Sequence, residues 1–194
     1  MPNAIPSKVV VENMVRAATI DAVIATNEKI NRAMAGAAAA MGAGLKITDR
    51  AGYSPLYNNW RMGELFCQAA GLLDPDHPIE PGTEWSTGCT DMGDVSAFMP
   101  VLHPYCKGAA GPAHSDDYRI ESVEKACVNS AKVQLVLTEL LLGKGAAEAK
   151  AIVADYRPVY SSLDDYRADL DKLMIDKDAV KMNQDGTITL NYKE

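Results

Sequence analysis

Residues 19–48 read TIDAVIATNEKINRAMAGAAAAMGAGLKIT, which is a helix signal followed by a strand signal. Thr19 supplies an N-cap oxygen and Asp21 a carboxylate in the first turn, and both favour a helix that begins here. Apolar residues then recur with helical spacing as far as Gly42, which predicts an amphipathic helix of about six turns. Residues 45–48 alternate apolar and polar side chains, which predicts a strand.

The residues before this helix carry a second strand signal. Val9, Val11, Val15 and Ala17 fall on one face of an extended segment, and Lys8, Glu12 and Arg16 fall on the other. This alternation predicts a strand with one solvent-exposed face, and residues 8–49 would then form a β-α-β unit. A unit of two strands and one helix is half a module and too small to be a domain.

Residues 50–59 contain glycine, proline and two asparagines, which is typical of a connector and predicts a domain boundary.

Beyond the connector the sequence predicts several helices and a few strands. Helices are expected over residues 60–73, from about 120 to 142, over 146–156 and over 162–174, and a buried strand over 95–102. The last turns before residue 142 are apolar nearly all round, which implies burial on several sides. Gly143 and Gly145 break that helix, and Asp185 with Gly186 predicts a hairpin between residues 179–182 and 187–192. The fold class is therefore α/β in the mixed, α+β sense.

Composition excludes several classes of protein. A length of 194 residues suits one domain or two small ones, and a net charge of -7 with scattered lysines and arginines disfavours nucleic acid. The apolar runs are too short to cross a bilayer, so we expect no membrane insertion. The four cysteines form no CxxC pair and the N-terminus lacks a secretory pattern, which predicts a protein of the reducing cytoplasm without a disulfide framework.

Two short segments have the composition of a functional site. The first is GCTDMGDVS at residues 88–96, and the second is GPAHS at residues 111–115. They place two carboxylates, Asp91 and Asp94, and one imidazole, His114, in glycine-rich sequence that is otherwise poor in charge.

Read in order, these segments resemble a known family. Residues 3–6 (NAIP), 15–17 (VRA) and 52–56 (GYSPL) resemble the second half of a lid domain. Residues 88–96 resemble the segment glycine-serine-threonine-aspartate-x-glycine-aspartate-valine-serine, and Ala113-His114-Ser115 with Tyr118 resembles a C-terminal histidine motif. The family comprises the zinc-dependent amidohydrolases and metallopeptidases that include aminobenzoyl-glutamate hydrolase and the indole-acetyl-amino-acid hydrolases. The resemblance extends over residues 1 to about 155.

The resemblance implies a division into two parts. Residues 1–52 would be the second half of a lid, or dimerisation, domain, and residues 53–194 the C-terminal part of the catalytic domain with its final helices and hairpin. Cys89 stands where the family has serine and Met92 where it has valine. The family's remaining metal ligands and its Glu-Glu pair have no counterpart here, so we expect that the N-terminal half of the enzyme is absent and that this chain alone is inactive.

The resemblance gives His114 the role of a metal ligand. A catalytic zinc needs about three protein ligands, so we expect zinc or manganese in the complete enzyme and little or none on this chain alone. Spacing alone instead favours a loop histidine that is hydrogen-bonded to its surroundings. A rival zinc site would combine His103, Cys106 and His114, since a thiolate and two imidazoles are acceptable zinc ligands.

Three further residues are candidates for supporting roles. Asp91 and Asp94 can orient the substrate or a metal-binding group, or they can cap turns beside the neighbouring glycines. Arg16 matches an arginine of the family's lid strand that can bind a substrate carboxylate bidentately, although an arginine on a strand surface is also simply solvated.

The expected reaction is hydrolysis of the amide bond of an N-acyl amino acid or an aminobenzoyl-glutamate-like substrate. The alternative is a structural or interaction subunit, which pairs with a second copy or with a chain that carries the missing metal-binding half. The expected partners are thus a small amide substrate in the complete enzyme and another polypeptide.

Overall fold

A computed structural model describes residues 3–76, 79–82 and 86–191 as a mixed α+β protein. Its helices are α1 (Ile20–Ala40), α2 (Trp60–Leu73), α3 (Met92–Ser96), α4 (Ser130–Asp155) and α5 (Leu163–Asp171), with a π-helical segment, Glu124–Asn129, before α4. Its strands are β1 (Leu45–Thr48), β2 (Ala109–Ala110), β3 (Arg119–Ile120), β4 (Asp176–Met182) and β5 (Ile188–Leu190). All strand pairs between these elements are antiparallel.

The chain divides into two compact units. The first contains residues 1–55 together with residues 167–194, and the second contains residues 56–166. The sequence-based division instead groups the C-terminal hairpin with residues 53–194, and its assignment to a lid and a catalytic domain stays a prediction.

The first unit is built from α1 and a three-stranded sheet. The predicted helix and strand of residues 19–48 are confirmed, and Thr19 Oγ1 accepts a hydrogen bond from Ala22 N at 3.2 Å as the N-cap. The sheet order is β1-β4-β5. Small residues let α1 lie close to the sheet, and the buried core of this unit consists of Ala35, Ile47, Ala179 and Val180.

The predicted strand over residues 8–17 and the β-α-β unit are wrong. Residues 8–17 are irregular, and Val9, Val10, Val11 and Met14 are each between 64 and 77 % exposed. A strand is stable only when its backbone is hydrogen-bonded to a neighbouring strand, and residues 8–17 pair with no strand among the described residues. The neighbour of β1 is instead β4, which arrives from the far end of the sequence and runs antiparallel to it.

The C-terminal hairpin is confirmed for the described residues, whereas Tyr192 lies outside them. β4 pairs with β5 from Val180↔Leu190 to Met182↔Ile188. At the turn, Asn183 N donates to Thr187 O at 2.9 Å. Gly186 adopts a φ of +82°, a left-handed conformation that glycine accepts without steric cost.

The second unit is organised around the packing of α2 against α4. Leu65 and Ala69 on α2 and Ile152 on α4 are buried. The predicted helix at 60–73 is confirmed, with Asn59 Oδ1 accepting from Met62 N at 3.0 Å as its cap. The predicted strand over residues 95–102 is wrong, because its first residues complete α3 and Val101 makes one isolated bridge to Asn58.

The long helix predicted from residue 120 is only partly confirmed. Residues 119–120 form β3, a π-helical segment follows, and α4 proper begins at Ser130. The predicted break is confirmed, since backbone angles are non-helical from Gly143 to Ala146. Burial on several sides is wrong, since Leu135 is 72 % and Leu142 59 % exposed. No helix of the described residues combines the length and apolarity that crossing a bilayer requires.

Candidate functional site

The glycine-rich segment of residues 88–96 ends in a firmly anchored helical turn. Ser96 is fully buried, and its hydroxyl donates to Gly93 O at 2.7 Å and accepts from Tyr57 N at 3.0 Å. Tyr156 at the end of α4 donates its hydroxyl to Ser96 O at 2.6 Å. Burial raises the pKa of Tyr156, so this donor remains protonated. Hydrogen bonds from Tyr57 and from Tyr156 therefore fix the end of this segment.

The two carboxylates of this segment lie at the start of α3. Asp91 occupies the N-cap position, yet its side chain makes no capping hydrogen bond. The cap is supplied by Thr90, whose hydroxyl accepts from Met92 N at 3.2 Å. Asp91 is exposed and Asp94 half-buried. The supporting roles predicted for Asp91 and Asp94 stay predictions.

Sequence reasoning missed a hydroxyl-imidazole pair beside these carboxylates. Thr90 Oγ1 lies 3.5 Å from His103 Nδ1, and the His103 backbone N–H donates to Asn58 Oδ1 at 2.8 Å. The ring of Tyr105 lies 5.9 Å from that of His103, centroid to centroid. The sequence hinted at this contact only through the pair of asparagines at the end of the connector. Spacing alone does not show that Asn58 binds a residue 45 positions later.

His114 lies in the loop between β2 and β3, the short hairpin of the second unit. Its φ is +62°, and the turn around it is closed by Ser115, whose N–H and hydroxyl donate to Pro112 O at 3.3 and 2.8 Å. The His114 side chain is exposed and makes no hydrogen bond within the described residues. Among the described residues the His114 imidazole is therefore available to a ligand from outside, and both interpretations of His114 stay predictions.

The glycine before this loop is required by a close backbone approach. Gly111 has a φ of +88°, and a Cβ atom on it would lie 2.5 Å from Asp117 O. Any side chain at this position would force the two ends of the loop apart. The sequence GPAHS therefore fixes the position of His114 through its backbone.

The rival zinc site is not assembled. The Cys106 thiol donates to Ala126 O at 3.7 Å and His103 faces Thr90, so neither is directed at His114. Within residues 3–76, 79–82 and 86–191, no group of three or more histidine, cysteine or acidic side chains is arranged to hold a metal ion. One imidazole falls short of the ligand set that zinc needs, so the described residues do not fit the metal by themselves.

Arg16 belongs to the first unit and is exposed in the irregular N-terminal segment. Its Nη2 lies 3.7 Å from Met14 Sδ, and the strand that was expected to orient it is not formed. A role in binding a substrate carboxylate stays a prediction.

Comparison with known proteins finds no matching family model, no matching curated protein and no matching solved structure. The resemblance to the amidohydrolases therefore stays a prediction from the sequence motifs.

Proposed function

We propose that this chain forms one wall of a metal-dependent amidohydrolase site, with His114 as one metal ligand and with Asp91 and Asp94 as supporting carboxylates. The observation that carries the proposal is the solvent-facing imidazole of His114, which the loop holds at a left-handed backbone position without a hydrogen-bond partner in the described residues. Backbone strain of this kind concentrates at functional sites. The substrates would be N-acyl amino acids or aminobenzoyl-glutamate-like amides.

The remaining ligands must come from a complementary polypeptide segment, because the described residues supply one imidazole of the three ligands required. When bound, the metal would polarise the amide carbonyl and activate water. The chain by itself is proposed to be inactive. Its four free cysteines are compatible with the reducing cytoplasm proposed as its compartment.

A reconstitution experiment tests this proposal. The purified chain is mixed with a polypeptide that carries the family's other metal ligands, and zinc uptake and aminobenzoyl-glutamate cleavage are measured together. We expect neither from the chain alone and both from the mixture. His114→Ala should abolish both gains, whereas His103→Ala serves as the matched control and should retain them. Turnover by the chain alone, or gains in the mixture that survive His114→Ala, would contradict the proposal.

A second candidate function, an interaction subunit, is favoured by the amount of exposed surface. The chain exposes 14008 Å². A compact monomer of its mass exposes about 9,000 Å², and even two separate compact units of half that mass would expose about 11,000 Å² in total. The excess of about 3,000 Å² exceeds the roughly 800 Å² that each partner buries in a standard stable interface. We infer that a second polypeptide, either another copy or a complementary chain, covers part of this surface.

Light scattering coupled to size exclusion tests this second function across a range of protein concentrations. We expect the apparent mass to rise with concentration, or the chain to be captured stoichiometrically by the segment that completes its metal site. A monodisperse monomer that also fails to bind the complementary segment would rule out the interaction role.

A further inference from the structure

Two exposed cysteines lie on neighbouring segments where the β2–β3 hairpin meets the π-helical segment. Cys106 and Cys127 are both exposed and free. The Cys106 Sγ atom lies 3.7 Å from the carbonyl oxygen of Ala126, the residue bonded directly to Cys127. We propose that Cys106 and Cys127 form a reversible disulfide that closes the base of the loop carrying His114.

The backbone geometry keeps the two cysteines within reach of each other. In a trans peptide a carbonyl oxygen lies about 2.8 Å from the next Cα atom. The Cys106 sulfur therefore lies within about 6.5 Å of the Cys127 Cα atom, and the proposed bond requires that rotation about both Cα–Cβ bonds bring the two sulfurs to bonding distance. Neither side chain is buried, so both thiols can turn towards each other without displacing core residues.

The segment that carries Cys106 is fixed against the helix that carries Cys127. Gly108 O accepts from Glu121 N at 2.8 Å and from Ser122 N at 3.0 Å. A Cβ atom on Gly108 would lie only 2.5 Å from Ala126 N, so the two backbones are in close contact. The approach of Cys106 to residues 126–127 is therefore a consequence of the fold and not of one flexible side chain.

The chemistry is a thiol-disulfide exchange with a low-molecular-weight disulfide such as oxidised glutathione. One protein thiolate attacks the glutathione disulfide and releases one glutathione thiol, which leaves a mixed disulfide. The second protein thiolate then attacks the protein sulfur and releases the second glutathione. The two cysteines lose two protons and two electrons in total, and glutathione disulfide gains them. Reversible disulfides of this kind are the ones found in reducing compartments.

The bond would enclose residues 107–126 in a covalent ring. This ring contains β2, β3 and the whole His114 loop. Closing a loop of about 20 residues restricts the unfolded chain, and the expected rise in the unfolding midpoint of the second unit is about 10 °C. Any effect on metal binding rests on the role proposed for His114, but the bond itself does not.

Peptide mapping of the full-length chain tests the inference. The tryptic peptide 62–107 contains Cys67, Cys89 and Cys106, and the peptide 126–132 contains Cys127 alone. The variant Cys67→Ser/Cys89→Ser therefore leaves one possible internal pair. After equilibration in glutathione buffers of increasing oxidised fraction, we expect peptides 62–107 and 126–132 to be linked in the monomer and released again by reductant.

Three controls complete the test. Cys106→Ser and Cys127→Ser should each abolish both the link and the 10 °C shift, while the double variant Cys67→Ser/Cys89→Ser should retain them. Stable mixed disulfides with glutathione at both cysteines, an intermolecular link, or fully reduced thiols in the most oxidising buffer would each overturn the inference. Because no metal or substrate is present, failure here leaves the proposed hydrolase role untouched, and failure of reconstitution leaves the disulfide untouched.

Discussion

Tyr156 is the residue that connects the end of α4 to the buried turn at Ser96. Its hydroxyl donates to Ser96 O at 2.6 Å in a half-buried position. We expect Tyr156→Phe to lower the free energy of unfolding by about 1 kcal/mol, because the carbonyl loses its donor while the ring is kept. Urea denaturation measures this change. Tyr118→Phe, at a side chain that is 56 % exposed, is the matched control and should have almost no effect; equal losses in the two variants would contradict the assignment.

The same hydroxyl predicts a pH dependence. Burial raises the pKa of Tyr156 in the folded protein above its ordinary value of about 10. The unfolded state therefore ionises first, and the stabilisation by Tyr156 is complete below about pH 10 and is lost as pH rises through the folded pKa. Comparing wild type with Tyr156→Phe between pH 8 and the alkaline limit should show a steeper loss of stability in wild type. Parallel curves would count against this cause.

Asp49 accepts hydrogen bonds from two asparagine side chains of α1 on one carboxylate oxygen. Asn27 Nδ2 and Asn31 Nδ2 donate to Asp49 Oδ2 at 2.7 and 2.6 Å, and Asn31 is buried. We expect Asp49→Ala to destabilise the first unit by about 2 kcal/mol, since a buried amide would lose its acceptor. A double-mutant cycle with Asn31→Ala measures the coupling. Purely additive losses would show that the hydrogen bond contributes nothing.

Among the elements, the join between the hairpin and the π-helical segment depends on one glycine. Gly108 has a φ of +118°, and an added Cβ atom would lie 2.5 Å from Ala126 N. We expect Gly108→Ala to destabilise the second unit by about 2 kcal/mol or more, through strain at a positive φ and through backbone displacement. Thermal unfolding followed by circular dichroism measures the loss.

The control for this prediction is a helical glycine in the same unit. A Cβ atom on Gly71 in α2 would meet nothing within 4 Å. Gly71→Ala should therefore stabilise the unit by about 0.5 to 1 kcal/mol, because alanine has the higher helix propensity. Opposite signs for the two variants are expected, and two changes of the same sign would contradict the close approach at Gly108.

Local signals determined which elements could be predicted from the sequence. Helices α1 and α2 begin at side-chain caps, Thr19 and Asn59, so their positions follow from neighbouring residues alone. The strand predicted at residues 8–17 failed because a strand depends on its partner, and alternation does not reveal whether one is present. The motif predicts His114 as a metal ligand, whereas the lack of a hydrogen bond to its imidazole within the described residues and the pairing of Thr90 with His103 depend on contacts between distant residues.

At the scale of the whole molecule, the large exposed surface predicts a small heat capacity of unfolding. An unfolded chain of this mass exposes about 30,000 Å², so a compact fold would bury about 21,000 Å². With 14008 Å² exposed, this chain buries only about 16,000 Å². Because the heat capacity change follows the area exposed on unfolding, we expect about 2 kcal/mol/K where a compact domain of 194 residues gives about 2.6.

Differential scanning calorimetry at two protein concentrations measures this quantity. Association in the folded state would bury additional apolar surface and raise the heat capacity change at the higher concentration. A value near 2 kcal/mol/K in dilute solution that increases with concentration, or on addition of the complementary segment, would show that the exposed surface is an interface. A value near 2.6 kcal/mol/K in a dilute monomer would mean that the chain already buries a full core, and the interaction role would lose its physical basis.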